Sequence, residues 1–197
     1  MSSQRHTEPS LPEPDLILVA ARACVMDVGL RRTTLADVAR RAGVSRMTVY
    51  RQWNDLTTIV GALLTAELLG LMDQVSVEVA ALPSARERLV EAAVLTAARV
   101  VDHPLYRKVL ETDPELLLPL VFDRFGSTQQ AAIDLVADWI ADGQRDGSIR
   151  AGDPAVLSTC LLLTAQSFVF SARVIETQQA ASQSDAELRR LLDGYLR

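Results

Sequence analysis

Thr33 to Trp53 reads T-T-L-A-D-V-A-R-R-A-G-V-S-R-M-T-V-Y-R-Q-W, and this order of residues dictates two short helices joined by a sharp turn. Thr34 and Asp37 form a capping box, which starts a helix over Leu35 to Ala42 with Leu35, Val38, Ala39 and Ala42 on its apolar side. Gly43 ends that helix, because glycine takes the left-handed conformation that a tight exit needs. The small Ala39 lets a second helix come close. Ser45 caps this second helix, Arg46 to Trp53, in which Val49 and Trp53 turn inward. Arg46, Met47, Thr48, Tyr50, Arg51 and Gln52 are left on its other faces.

The outward set carries the chemistry. Arg46 and Arg51 can make bidentate contacts to guanine edges in a major groove, and Thr48 and Tyr50 offer hydroxyls to phosphate oxygens. This pattern is a helix-turn-helix with Arg46 to Gln52 as recognition helix. The stretch resembles the DNA-binding segment of the tetracycline-repressor (TetR) family of transcriptional regulators, which it matches at Thr33, Thr34, Ala39, Ala42, Gly43, Val44, Ser45 and Tyr50. Met47 replaces the family's usual Gly, Trp53 its usual Phe, and Leu56 a phosphate-binding Lys. The resemblance implies a double-stranded DNA operator met by Thr33, Thr34, Ser45, Arg46, Met47, Thr48, Tyr50, Arg51 and Gln52. A solvated helical hairpin would not require Ala39, Gly43, Ser45, Val49 and Tyr50 together. Met47 and Leu56 keep one alternative open, a helical small-molecule-binding protein with weak or lost DNA binding.

A formal net charge of -5 looks wrong for such a role until it is divided. Residues 1–51 hold eight Arg against five acidic residues, whereas residues 52–197 hold twelve basic against twenty acidic. Arg31 to Arg51 alone carries six arginines and one acid, Asp37. Positive charge is therefore concentrated on the motif, where each phosphate neutralised makes binding more salt-sensitive, and the acidic remainder disfavours non-specific wrapping.

Hydrophobic residues make up 49% of the chain and aromatics only 5%. Leu, Ala and Val at helical spacing favour an all-α fold over a β-sandwich, and 197 residues suffice for one large core or two small ones. The expected organisation is a disordered tail at residues 1–12, a three-helix helix-turn-helix domain at 13–55, and a helical ligand-binding and dimerisation domain at 56–197. Cys24 and Cys160 are too few and too distant for a disulfide framework and fall in apolar runs, as buried small hydrophobes do. His6 and His103 are the only histidines, so no metal site and no cofactor is expected. Met1 to Pro14 has no apolar run and three prolines, unlike a signal peptide, which implies a cytoplasmic chain with no membrane partner. No carboxylate pair, Ser/His/Asp set or Gly-rich phosphate loop supports an enzyme.

Along the chain, Ile17, Ala20, Ala21, Cys24, Val25 and Val28 repeat at helical spacing from about Glu13, and Gly29 stops them. Asn54 and Asp55 turn and cap a helix from Leu56 to about Ala80, roughly 37 Å long at about 1.5 Å per residue. Its stripe from Leu56 and Val60 to Val75 and Val79 is too long for a three-helix head to cover. By the resemblance, this helix couples ligand binding to the separation of two heads. Ser84 with Glu87 starts a helix to about Val101, and Asp102-His103-Pro104 ends it. A short helix over Leu105 to Glu111 precedes a long one from Asp113-Pro114 to about Asp142, broken near its start by Pro119. Gly143 to Gly152 reads as a loop, similar to the family's D-G-x-I-R-x-G-D connection.

Ala155 to Phe170 is apolar nearly all round, yet as a sixteen-residue run with polar interruptions it is too short and too wet for a membrane span. It must therefore be buried on every side, one face against its own domain and the other against a partner. After a polar connection at Gln178 to Ser182, Ser184 and Glu187 cap a last helix with Leu188, Leu191, Leu192 and Tyr195 as its stripe. Two such helices from each subunit form the homodimer that the resemblance implies, and a charge at Leu161 or Leu163 would disturb it. Between them and the head, Arg99, His103, Tyr106, Phe122, Phe125, Trp139 and Gln166 are candidates to line a pocket for a small hydrophobic effector.

Overall fold

A computed structural model describes residues 14–113, 125–177 and 181–197. The described residues form nine α-helices and no strand. The expected tail at 1–12 lies outside them. Two compact units divide the chain, one ending at Leu63 and the other starting at Leu64.

The first unit is built on α1 (Pro14–Val28), α2 (Leu35–Ala42) and α3 (Arg46–Gln52), followed by the first turns of α4 (Leu56–Val79). Gly29 ends α1 at φ 82°, so the chain can turn at once toward α2. The core joins Ile17, Ala21 and Cys24 of α1 to Leu35, Val38 and Ala39 of α2, Val49 of α3 and Ile59 of α4. Val38 and Val49 are fully buried, each worth roughly 1.5–3 kcal/mol of transfer free energy. Ile59 explains why the unit runs to Leu63, beyond the boundary expected at residue 55. Val28, expected on the apolar stripe, is exposed. Trp53 closes α3 as its C-cap and packs on this core, one position outside the helix that was expected to contain it.

The second unit carries the rest of α4 with α5 (Ala85–Asp102), α6 (Pro104–Thr112), α7 (Ser127–Arg145), α8 (Pro154–Thr177) and α9 (Ala181–Leu196). Its core includes Met72, Leu89, Val136, Ile140, Leu161, Leu188 and Leu192. Ser84 and Glu87 make the expected capping box of α5. His103 closes α5 and opens α6, with Pro104 in the first turn of α6.

Several boundaries differ from expectation. The helix expected from Asp113 to Asp142 is not continuous, since Phe125 and Gly126 are non-helical and α7 begins at Ser127; Pro119 lies outside the described residues. At its other end α7 continues through Gly143 to Arg145, so Gly143 is not in a loop. A Cβ on Gly143 would stand 2.4 Å from Ile149 Cδ1, and the bare backbone is what lets Ile149 seat there. Helix α9 begins at Ala181, which places Ser184 inside the helix and leaves no cap for it to make. A serine caps only where the preceding chain leaves the helix, and nothing at Ala181 to Gln183 forces that exit.

Helix α8 runs to Thr177, longer than expected, and is not buried all round. Leu157 and Leu161 face the core, while Val156, Cys160, Leu163, Phe170 and Val174 are exposed. Cys160 is thus a surface thiol, unlike the buried Cys24. Leu161 belongs to the chain's own core and not to an outer face. The Pro154–Ala172 stretch and α4 are long and apolar enough to cross a membrane, so the apolar run of α8 is not too short for a span as expected. Met72, Val75, Leu157 and Leu161 of these two helices are buried in the core of the second unit.

Candidate nucleic-acid interface and ligand cavity

The turn between α2 and α3 is fixed by short-range bonds. The Thr34 hydroxyl donates to Asp37 Oδ2 at 2.6 Å and accepts the Asp37 amide at 3.2 Å, and the Thr34 amide donates back to that carboxylate at 3.1 Å. These bonds, from the Thr34 side chain first and its backbone second, hold the Asp37 carboxyl below the usual carboxylate range. Gly43 sits at φ 69°, left-handed, with its amide on the Ala39 and Arg40 carbonyls. Ser45 Oγ accepts the Thr48 amide at 3.1 Å and lies 2.8 Å from the Thr48 hydroxyl. Two hydroxyls that share one hydrogen bond keep one proton to donate elsewhere.

Arg46, Met47, Tyr50 and Arg51 are all exposed on α3. Neither Arg46 nor Arg51 has an ion-pair partner among the described residues. Two other arginines of the basic stretch are engaged: Arg40 with Asp37 at 2.7 Å, and Arg41 with Asp27 at 2.5 Å. The latter bond to Asp27 raises the Arg41 pKa. The sequence reading missed Asp27, which reaches Arg41 from another helix. Three predicted residues are not simply outward. Thr33 is buried and its hydroxyl donates to the Gly29 carbonyl at 2.8 Å, so it holds the α1–α2 loop. Thr34 is exposed, but its hydroxyl is committed to the capping box. Gln52 turns its carbonyl oxygen inward, buried and without a partner among the described residues.

The second unit holds a partly open cavity of about 170 Å³. It exists because α5 and α7 face it with small residues, Ala92, Ala93, Thr96, Ala97 and Ala132. Of the predicted residues, Tyr106, Trp139 and Gln166 line it. The Tyr106 hydroxyl donates to the Leu64 carbonyl at 2.7 Å, and burial, helped by Glu67, pushes its pKa up. Arg99 does not line it, because its guanidinium is held on Glu78 of α4 at 2.6 and 2.8 Å. His103 is likewise outside, with Nε2 3.2 Å from Glu67 and its ring edge-on to Tyr106 at 5.6 Å. Phe125 is exposed and not in the lining, and Phe122 lies outside the described residues. Gln129, which the sequence reading passed over, donates from Nε2 to Gln166 Oε1 at 2.6 Å.

Residues 17–63 match the profile of the bacterial regulatory proteins of the tetR family. An HTH-type transcriptional regulator of Mycobacterium bovis is 38% identical over 180 residues, spanning 91% of this chain and 92% of that protein. The chain belongs to the TetR family of helix-turn-helix transcriptional regulators.

Solved structures agree on the fold of this TetR-family chain. The transcriptional repressor QsdR of R. erythropolis superposes with TM-score 0.73 over 93% of this chain and 95% of its own, at 17% identity. RolR in complex with resorcinol does so with TM-score 0.70 over 93% and 86%, at 11% identity. The TetR-profile match ends at Leu63, the residue where the first compact unit ends. Leu56, the departure from the family's Lys, is half-buried and packs on the head core, so α4 begins here with an apolar contact.

Proposed function

We propose that this TetR-family regulator is a repressor that binds a near-palindromic operator as a homodimer and releases it when a small hydrophobic effector enters the cavity of its second unit. The observation that carries the reading is the pair Arg46 and Arg51, exposed on one short helix and without ion-pair partners among the described residues. Unneutralised guanidiniums on a capped, rigid helix are suited to bidentate contacts with guanine edges. Met47 and Tyr50 extend that surface, and the Ser45–Thr48 hydroxyl pair offers a donor to phosphate. Thr33 and Thr34 act behind it, by holding the α1–α2 loop and the start of α2 in place. Exposed Val156, Leu163 and Phe170 along α8 support an intersubunit face, and helix-turn-helix proteins read two half-sites as dimers. RolR, seen with resorcinol, offers a precedent for a small ligand in this fold. A DNA-binding regulator with these partners acts in the cytoplasm.

The test is selection of the preferred duplex from a random pool, followed by a screen for compounds that release it. The second reading, a ligand-binding protein with weak DNA affinity, is favoured by Leu56, which gives α4 no cation at its start. Failure to enrich any duplex at low ionic strength would favour that reading.

A further inference from the structure

The polar side of the cavity has an orientation that one backbone group fixes. The Gly126 amide can only donate, so the Gln129 side-chain atom 2.9 Å from it is the carbonyl oxygen. The Gln129 amino group then faces Gln166 at 2.6 Å and must meet that residue's carbonyl oxygen. The Gln166 amino group is left over, in the cavity lining, with no acceptor among the described residues. Tyr106 spends its proton on the Leu64 carbonyl, and the Thr128 hydroxyl lies 2.8 Å from that of Thr65. Thr96 and Trp139 also stand in the lining, and the rest of the wall is apolar, with Leu68, Met72, Leu89, Leu161 and Val169 among its members. No Asp, Glu, Lys, Arg or His occurs in the lining among the described residues.

We infer that the cavity takes an uncharged, mainly apolar molecule with one hydrogen-bond acceptor oxygen, and that the Gln166 amino group is the donor that receives it. This deepens the effector reading above and rests on it for any effect on DNA. A carboxylate or ammonium group would lose its hydration with no countercharge in the wall, whereas an ester, ketone or ether oxygen recovers its smaller loss in one hydrogen bond. The Gln129–Gln166 pair also ties α7 to α8. A ligand oxygen on Gln166 therefore extends a bonded chain from the Gly126 backbone to the ligand.

Methyl octanoate and octanoate, titrated into the full-length protein by calorimetry at neutral pH, test this. The ester is expected to bind at least about tenfold more tightly than the anion. Gln166→Met, close in size but lacking the donor, is expected to weaken the ester roughly fivefold while the circular dichroism spectrum stays unchanged. Ala93→Trp, which fills the cavity, is expected to abolish binding; Gln166→Met keeps the test open should the tryptophan disturb folding. Equal or tighter binding of octanoate, an unaltered ester affinity in Gln166→Met, or no binding of the ester at all would overturn the inference. DNA binding is measured separately by gel shift. A protein that binds a duplex but no ester defeats only the ligand inference, and one that binds the ester but no duplex defeats only the regulator reading.

Discussion

The Ser45 hydroxyl lies 2.8 Å from the Thr48 hydroxyl and accepts the Thr48 amide at 3.1 Å, so one side chain both starts α3 and presents its polar first turn. Ser45→Ala removes this cap and is expected to lower stability by about 1 kcal/mol, read as a lower urea midpoint. Ser45→Asp restores the cap and should recover the midpoint, yet its negative charge would face phosphates and abolish duplex binding. Wild-type affinity in Ser45→Asp would show that the turn does not approach the backbone.

Arg46 and Tyr50 are predicted to fail in different ways. Arg46→Ala should lose discrimination among operator variants by roughly 1–3 kcal/mol at a guanine position. Tyr50→Phe should weaken all sequences alike, as loss of a phosphate contact does. Gel shifts on the selected operator and on its single-base variants separate the two, and equal losses on every sequence for both would refute the assignment.

Leu161 and Leu163 lie on opposite sides of α8, one in the core and one exposed. Leu163→Glu is expected to leave the monomer folded and reduce its sedimentation coefficient at micromolar concentration. Leu161→Glu places an unpaired charge in the core and is expected to unfold the body outright. An unchanged sedimentation coefficient for Leu163→Glu would remove that face from the dimer.

Gly143 is required by Ile149 and not by its own backbone angle. Gly143→Ala would set a methyl 2.4 Å from Ile149 Cδ1, a contact that overpacking data place at roughly 1–3 kcal/mol. Combining it with Ile149→Ala should cost less than the sum of the two single changes, since the clash disappears. Additive losses in thermal unfolding would contradict the packing described here.

Acid should weaken the helix starts. Thr58 hydrogen bonds hold Asp55 below its ordinary value, and Ser148 does the same for Asp146, as Thr34 does for Asp37. A depressed folded-state pKa stabilises the fold fully above the ordinary value of 3.8 and loses that contribution as pH falls through the folded values. Asp37→Asn and Asp146→Asn are therefore expected to be less stable than wild type at neutral pH, with the difference vanishing once the pH has fallen below the lowered folded-state values. A difference that persists in acid would deny these carboxylates their capping role.

The head was legible in the sequence where its bonds are local. Thr34 with Asp37, Gly43, and Ser45 with Thr48 act within one helical turn, and the residue types alone imply the geometry. Contacts between helices were not legible. Asp27 reaches Arg41, and Glu78 reaches Arg99, across different helices, and the second removes Arg99 from the pocket assigned to it. His103 was drawn away by Glu67 in the same manner. Gln129 gave no signal because its role depends on the Gly126 amide, which is exposed only where α7 starts afresh. In helix α8 the apolar run did not tell which of Leu161 and Leu163 faces the chain's own core.

Fluorescence anisotropy with the selected duplex, at several salt concentrations, tests the central claim most directly. Wild type should bind that duplex well above scrambled DNA, with affinity falling linearly in log salt, and Arg46→Ala should keep the salt dependence while losing the preference. Absence of preference for any duplex at low ionic strength, or an unaltered preference in Arg46→Ala, would contradict the account.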